Sequence, residues 1–173
     1  MQTTRLYLVR HGETEDNVNQ ILQGQTPGKL NEQGCRQARE LAEKMEGEHI
    51  DVFVSSDLRR ALQTCEIIAE PHGKPVVTTP LLRERDWGSF TGLYIPDLKF
   101  IKQSEWPNDI EPLDHLQDRA KNFISYIRST YNGKCVLAVG HGIINKAIQS
   151  VYYNRPMKDI MPMANVEVRI LEL

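Results

Sequence analysis

Nothing in this sequence reads as a membrane span. Its apolar runs, such as Leu6–Val9 and Val136–Val139, stop after a few residues, far short of the roughly 20 needed to cross a bilayer. Excess charge is missing too. Lysine and arginine total 21 against 23 aspartates and glutamates, a net charge of −2. That balance gives no electrostatic reason to bind nucleic acid or an acidic membrane surface, so any basic character must be local. Cysteine is sparse. Cys35, Cys65 and Cys135 lie far apart, and an odd count without paired spacing points to a reducing compartment. No CxxC or HExxH spacing marks a metal site, and no cofactor is implied. Repeats, low-complexity tracts and Pro- or Ser-rich linkers are absent, which argues for one domain over residues 1–173. The opening "MQTTRLYLVRHG" has an apolar run too short and too interrupted by charge for a signal peptide. The expectation is a cytoplasmic protein.

What is present is the composition of an ordinary globular chain, 40% hydrophobic and 25% charged over 173 residues, long enough to bury a core. Leu6 to Val9 does not alternate, so it reads as a strand buried on both faces. Leu30 to Gly47 reads as a helix, with Ala38, Leu41, Ala42 and Met45 spaced at i, i+3, i+4 and i+7. "IDVFVSS" is a second strand. It runs into a helix with Leu58, Ala61, Leu62, Cys65, Ile68 and Ala69 on one face, capped by Ser56 or Asp57. "PVVTT" is a third strand, Pro112 to Tyr131 a long helix, and "CVLAVG" a fourth strand followed by a helix carrying Ile144, Ala147, Ile148 and Val151. In "VEVRI", Val166, Val168 and Ile170 alternate with Glu167 and Arg169, the pattern of an edge strand with one solvated face. Strands alternating with amphipathic helices predict an α/β fold, a mostly parallel sheet with helices on both faces.

In such sheets ligands bind beyond the carboxyl ends of the strands. Arg10-His11 follows the first strand, Arg59-Arg60 the second, and His141 the fourth. Each alone has an ordinary explanation: a turn, a solvated helix start, a polar loop. Together, two histidines and two arginines at one sheet edge suggest phosphate chemistry. Arginine's planar fork matches phosphate oxygens, and the helix start after Gly12 adds backbone donors. A neutral imidazole can attack phosphorus, and a second histidine, if protonated, would stabilise the transition state beside it. Expelling an alkoxide also needs a proton donor. "LLRERDWGSFTG" supplies Glu84, between two arginines, and Asp86.

These residues carry a resemblance to the histidine phosphatase superfamily, which includes the cofactor-dependent phosphoglycerate mutases. "RHGETEDN" is similar to its RHGxT signature, and "SSDLRRALQTCEII" to the block whose phosphate-binding arginine directly precedes an alanine, here Arg60. "LLRERDWGSFTG" resembles the acid block, "VLAVGHG" the block of the second histidine, and "QGQTPGKLNEQGCRQA" the segment between the first two. The blocks span most of the chain in the family's order. The resemblance implies a three-layer α/β/α sandwich with one antiparallel edge strand. It implies His11 as the transiently phosphorylated residue. Arg10, Arg60 and His141 would hold the phosphoryl group, and Glu84 would be acid and then base. Asn17, Gln23, Gly24 and Gly142 are the implied substrate-binding positions. Two departures stand out. Gly140 occupies a place where serine or threonine is common, so a supporting hydroxyl is missing. Cys65 replaces a common alanine.

The mutases resembled here carry a long insertion after the acid block, whereas this chain has only Thr91 to Glu111 there. A mutase must keep water from its intermediate, so the shorter segment favours hydrolysis. Tyr94, Phe100, Trp106, Lys99 and Lys102 within it suggest a small flap over the substrate, or a surface segment anchored by aromatics. The expected substrate is a small phosphomonoester, with mutase-type transfer as the alternative and a non-catalytic phospho-ligand module as a reading of another class. A monomer or a homodimer would both fit.

Overall fold

The computed structural model describes residues 2–173. Its elements, in chain order, are β1 (Arg5–Arg10), α1 (Glu15–Val18), α2 (Glu32–Met45), β2 (Val52–Ser56), α3 (Arg59–Ala69), β3 (Val76–Thr79), α4 (Ile95–Leu98), α5 (Leu113–Thr130), β4 (Cys135–Gly140), α6 (Gly142–Tyr153) and β5 (Val168–Glu172). The five strands form one sheet in the order β3-β2-β4-β1-β5. β1, β4, β2 and β3 run parallel, and β5 closes one edge antiparallel to β1. Among the described residues no helix is long and apolar enough to cross a membrane.

The unalternating strands are unalternating because the sheet is covered twice. Leu6 and Leu8 of β1 join Val136 and Ala138 of β4 under α5 and α6. Tyr7, Val9, Leu137 and Val139 face the opposite layer, built on Leu41 and Met45 of α2 and Ala61, Cys65 and Ile68 of α3. This is the three-layer α/β/α arrangement, with the parallel strands at its centre.

The last strand departs from the expected pattern. β5 begins at Val168, because Val166 turns to a left-handed φ of 54° and donates its N–H to the Arg10 carbonyl at 2.9 Å. Its buried residue is Leu171, packed under α5 and α6, while Ile170 is 53% exposed. The two faces of an edge strand are not covered equally. Val166 and Val168 pack against the α2/α3 cluster as the alternation implies, but Ile170 lies beyond it, so the pattern holds for two of its three apolar residues and misses the buried Leu171 on the other face.

The expected cap of α3 also differs. Leu58 occupies the N-cap position without a side-chain bond; Ser56 Oγ accepts the Leu58 N–H at 3.2 Å, and Asp57 pairs with Arg83 instead. Asn31 caps α2, its Oδ1 accepting from the Gly34 N–H at 2.8 Å.

Gly34 has a second role. A Cβ there would collide with the Glu13 backbone, and one on Gly12 would sit 2.7 Å from the Gly34 carbonyl oxygen. The start of α2 therefore rests on the backbone that follows His11. Gly34→Ala should cost about 1–3 kcal/mol by overpacking, read as a lower urea midpoint. An unchanged midpoint would show that this backbone can yield.

Candidate active site

β1 and β4 are neighbours, with Arg10 opposite Gly140, and the His11 N–H donates to the Gly140 carbonyl at 3.1 Å. Both chains leave the sheet here. That places the His11 and His141 rings with centroids 5.1 Å apart, both fully buried. Nδ1 of His11 lies 2.7 Å from the Gly12 carbonyl, an acceptor only, so Nδ1 carries the proton and Nε2 keeps its lone pair. Burial, then the charge of Arg60 and, more weakly, of Arg10, hold His11 well below the ordinary histidine range against the opposing Gly12 bond. The imidazole is neutral. Thr64 fixes the turn, its Oγ1 accepting from the Gly12 N–H at 3.0 Å.

Arg60, 1% exposed, is held by backbone alone: Nη1 donates to the Thr26 carbonyl and Nη2 to the Gly24 carbonyl at 2.8 Å. Burial lowers its pKa to about 10, so it stays charged at neutral pH. Arg10 donates from Nη1 to the Met163 carbonyl at 2.7 Å. Each arginine leaves its Nε without a partner, as His141 leaves Nδ1. Of the five buried side-chain polar atoms with no partner among the described residues, three belong to this cluster. An unpartnered buried donor costs about 1–3 kcal/mol. Three such atoms on charged or polar side chains leave donor capacity that an anion could satisfy.

Gly140 indeed lacks a hydroxyl, but His141 does not lack support. Its Nε2 is 2.9 Å from Ser56 Oγ, at the end of β2 next door. That oxygen already accepts the Leu58 N–H, so its own proton is available for Nε2. With that proton given to Nε2, the tautomer assigned to His141 carries its own proton on Nδ1, which has no partner among the described residues. Burial first, then Arg60, His11, Arg10 and Arg119, push the His141 pKa well below the ordinary value. Held neutral, His141 can offer an N–H in place of the charge that the sequence reading made conditional on protonation. Gly140 itself is small because a Cβ would strike Asn145 Oδ1.

Glu84 reaches the same point from the acid loop. Its Oε1 accepts from the N–H groups of Arg85 (2.9 Å), Ile143 (3.2 Å) and Ile144 (3.0 Å), while Oε2 shares only the Ile143 N–H at 3.1 Å. Oε2 is the freer oxygen. A Cβ on Gly142 would lie 3.6 Å from Arg10 Nε and 3.8 Å from Glu84 Oε2, so this glycine keeps open the space between the two. Asn17 Oδ1 is spent on the α1 capping box with Thr14, at 3.1 Å, which leaves Nδ2 for a ligand. Gln23 Oε1 accepts from Thr14 Oγ1 at 3.1 Å, and the Gly24 carbonyl is the Arg60 anchor.

The acid loop is clamped from α5. Arg119 donates to the carbonyls of Leu81 (3.0 Å), Arg83 (2.6 Å) and Glu84 (3.3 Å), and Nε and Nη2 grip Glu111 at 2.9 Å each. Neither Arg119 nor Ser56 was singled out for the site by its sequence context. Each lies far along the chain from the group it holds. Asp86 sits outside, accepting from the Gly88 N–H at 2.9 Å.

A cavity of about 460 Å³ opens over Arg10, His11, Asn17, Gln23, Gly24, Glu84 and Gly142. Trp106 and Lys99 of the flap segment line it, but Tyr94, Phe100 and Lys102 do not, and Phe100 is 87% exposed. Among the described residues no cluster of histidine, cysteine, aspartate or glutamate could hold a metal ion.

The two buried neutral histidines predict a pH dependence. Their folded pKa values lie below the unfolded value near 6.5, so above that pH their neutral forms carry no penalty. As pH falls below about 6.5 the unfolded chain gains protons that the folded one refuses. Stability should drop by up to about 1.4 kcal/mol per pH unit for each histidine. Urea midpoints of wild type and His11→Gln between pH 7 and 5 check this; equal slopes for the two proteins would contradict it.

Buried Arg60, half-buried Arg10, a neutral imidazole with a free lone pair and the Glu84 carboxyl group come together at one edge of an α/β/α fold, with Arg10, His11 and Glu84 on the cavity itself. The sequence profile of the Histidine phosphatase superfamily (branch 1) matches residues 6–173, and the chain belongs to this family. A metal-independent phosphoserine phosphatase of Arabidopsis thaliana is 37% identical over 161 residues, 85% of this chain and 68% of that protein. A probable phosphoglycerate mutase of Cronobacter sakazakii is 44% identical over 164 residues, covering 88% and 76%. The solved structure of a mycobacterial glucosyl-3-phosphoglycerate phosphatase with VO3 superposes with a TM-score of 0.87 at 25% identity, over 96% of this chain and 90% of that one.

Proposed function

We propose that this protein is a metal-independent phosphatase of small phosphomonoesters that works through a phosphohistidine on His11. The observation that carries the reading is the convergence of unpartnered Arg10 Nε, Arg60 Nε and His141 Nδ1 beside the free lone pair of His11. Those three donors take the phosphoryl oxygens, and His11 Nε2 attacks phosphorus. As the N–P bond forms, the bond to the leaving oxygen breaks, and Glu84, entering as the acid, passes its proton to that oxygen. In the second half Glu84 takes a proton from water. The hydroxyl oxygen bonds to phosphorus, the N–P bond breaks, and His11 recovers its lone pair. Arginine charge and pre-aimed donors do the work that a metal does elsewhere. Three free thiols, at Cys35, Cys65 and Cys135, favour a cytoplasmic setting.

The mutase-like relative keeps a second reading in play, transfer of the phosphoryl group to another substrate. Rapid quenching of wild type mixed with phosphoserine and chelator separates the readings. Hydrolysis gives an acid-labile, alkali-stable phosphoenzyme that decays to inorganic phosphate. Decay only when 3-phosphoglycerate is added would favour the mutase. Phosphate binding without phosphoenzyme or turnover would leave a binding module.

A further inference from the structure

Beyond the phosphoryl end, the cavity has a composition of its own. Its walls are apolar and aromatic, with Trp106 packed edge-on against Trp87 and Phe90 at 5.8 Å each. Arg85 lies behind that wall, its guanidinium 4.5 Å from the Trp87 ring and its Nε bonded to the Glu111 carbonyl, so it is already engaged. The exceptions on the lining are two lysines. Gly142, Ile143 and Lys146 of α6 line the cavity at i, i+1 and i+4, one face of one helical turn. Ile95, Leu98 and Lys99 line the same cavity at i, i+3 and i+4 along α4 and its C-cap. Neither lysine has an ion-pair partner among the described residues. Lys146 is half-buried, and a half-buried cation beside apolar walls loses hydration without compensation.

We propose, building on the phosphatase reading, that Lys146 and Lys99 form a second anion subsite. The preferred substrate is then a phosphomonoester of a compact, flat apolar alcohol that carries an anionic group at its far end. The spacing follows from α6. Gly142 adjoins Arg10 and Glu84, and Lys146 begins about one helical turn further on, a rise of roughly 6 Å. With the reach of its side chain, Lys146 meets a carboxylate separated from the phosphorus by about the length of a benzene ring. Trp87, Phe90 and Trp106 supply the flat apolar contact for the body between the two charges. Lys99 joins it from the C-cap of α4, more exposed and therefore weaker.

The test compares 4-carboxyphenyl phosphate with its neutral isostere 4-carbamoylphenyl phosphate in wild type, Lys146→Met and Lys99→Met. Wild type should favour the carboxylate in kcat/KM by about tenfold, with the difference carried by KM and shrinking as salt is added. Lys146→Met should lower that ratio fivefold to tenfold, and Lys99→Met two- to threefold. A wild-type ratio at or below one, or a ratio unmoved by both substitutions, overturns the subsite. If wild type hydrolyses neither compound nor p-nitrophenyl phosphate, it is the phosphatase reading that fails. The two ligands are then compared by calorimetric Kd in the same three proteins. The same ratios decide the subsite, and equal Kd values for the two ligands overturn it.

Discussion

Alanine in place of His11 should lower kcat for p-nitrophenyl phosphate by at least about 10⁴-fold while inorganic phosphate still binds. Removing a nucleophile that forms a covalent intermediate abolishes a pathway rather than weakening one, and losses of this order are typical. No neighbour can substitute. His141 is the nearest imidazole, 5.1 Å away between centroids, but its Nε2 is tied to Ser56 and its Nδ1 is the protonated nitrogen. Arg10, Arg60 and Asn17 do not depend on His11 for their anchors, which lie in Met163, Thr26, Gly24 and Thr14. The anion cradle therefore survives the substitution. Turnover assays and phosphate titration calorimetry on the same preparation measure both halves. A loss of less than tenfold in kcat would end the phosphohistidine mechanism.

Glu84→Gln separates the two chemical steps by leaving group. Glutamine keeps an oxygen to accept the Ile143 and Ile144 N–H groups, so the helix start stays capped. It cannot give or take the proton. With phosphoserine, whose alkoxide needs that proton, the rate should fall by about 10²- to 10⁴-fold. With p-nitrophenyl phosphate the leaving group departs as the anion, so formation of phosphohistidine should continue. Its hydrolysis should not, because the water has lost its base. The expected trace is a burst of about one nitrophenolate per enzyme followed by a stall, visible by stopped flow. Equal losses on both esters with no burst would show that Glu84 binds rather than transfers protons.

Much of this was legible from short stretches. His11 and His141 each sit where a buried strand stops, and a strand covered on both faces announces itself as an unalternating run. Leu6–Val9 ending on Arg10-His11 and Val136–Val139 ending on Gly140-His141 are such places. The long helix at Leu113–Thr130 also stands out, because five of its apolar residues fall on one buried stripe. Periodicity failed where coverage is uneven. Along β5, Val166 and Val168 reach the α2/α3 cluster but Ile170 is exposed, so the alternation misplaced Ile170 and missed Leu171. Flap residues were legible as a group but not one by one. Trp106 and Phe100 are both aromatic in the same segment, and only the turn of the chain sends the first inward and leaves the second in solvent.

The sequence by itself determined the α/β class and the family and named the candidate phosphate-binding groups, because those depend on local runs and on residue types that phosphate chemistry requires. Tertiary structure decided how those groups are set. The Ser56 hydroxyl is brought 85 residues along the chain to His141 Nε2 and orients the ring, while burial keeps it neutral. Arg119 crosses from α5 to hold the loop of Glu84, and the Gly12 carbonyl fixes which nitrogen of His11 is free. Protonation state and aim belong to pairs of residues. A pair distant in sequence becomes a pair only when the sheet has placed β1, β4 and β2 side by side.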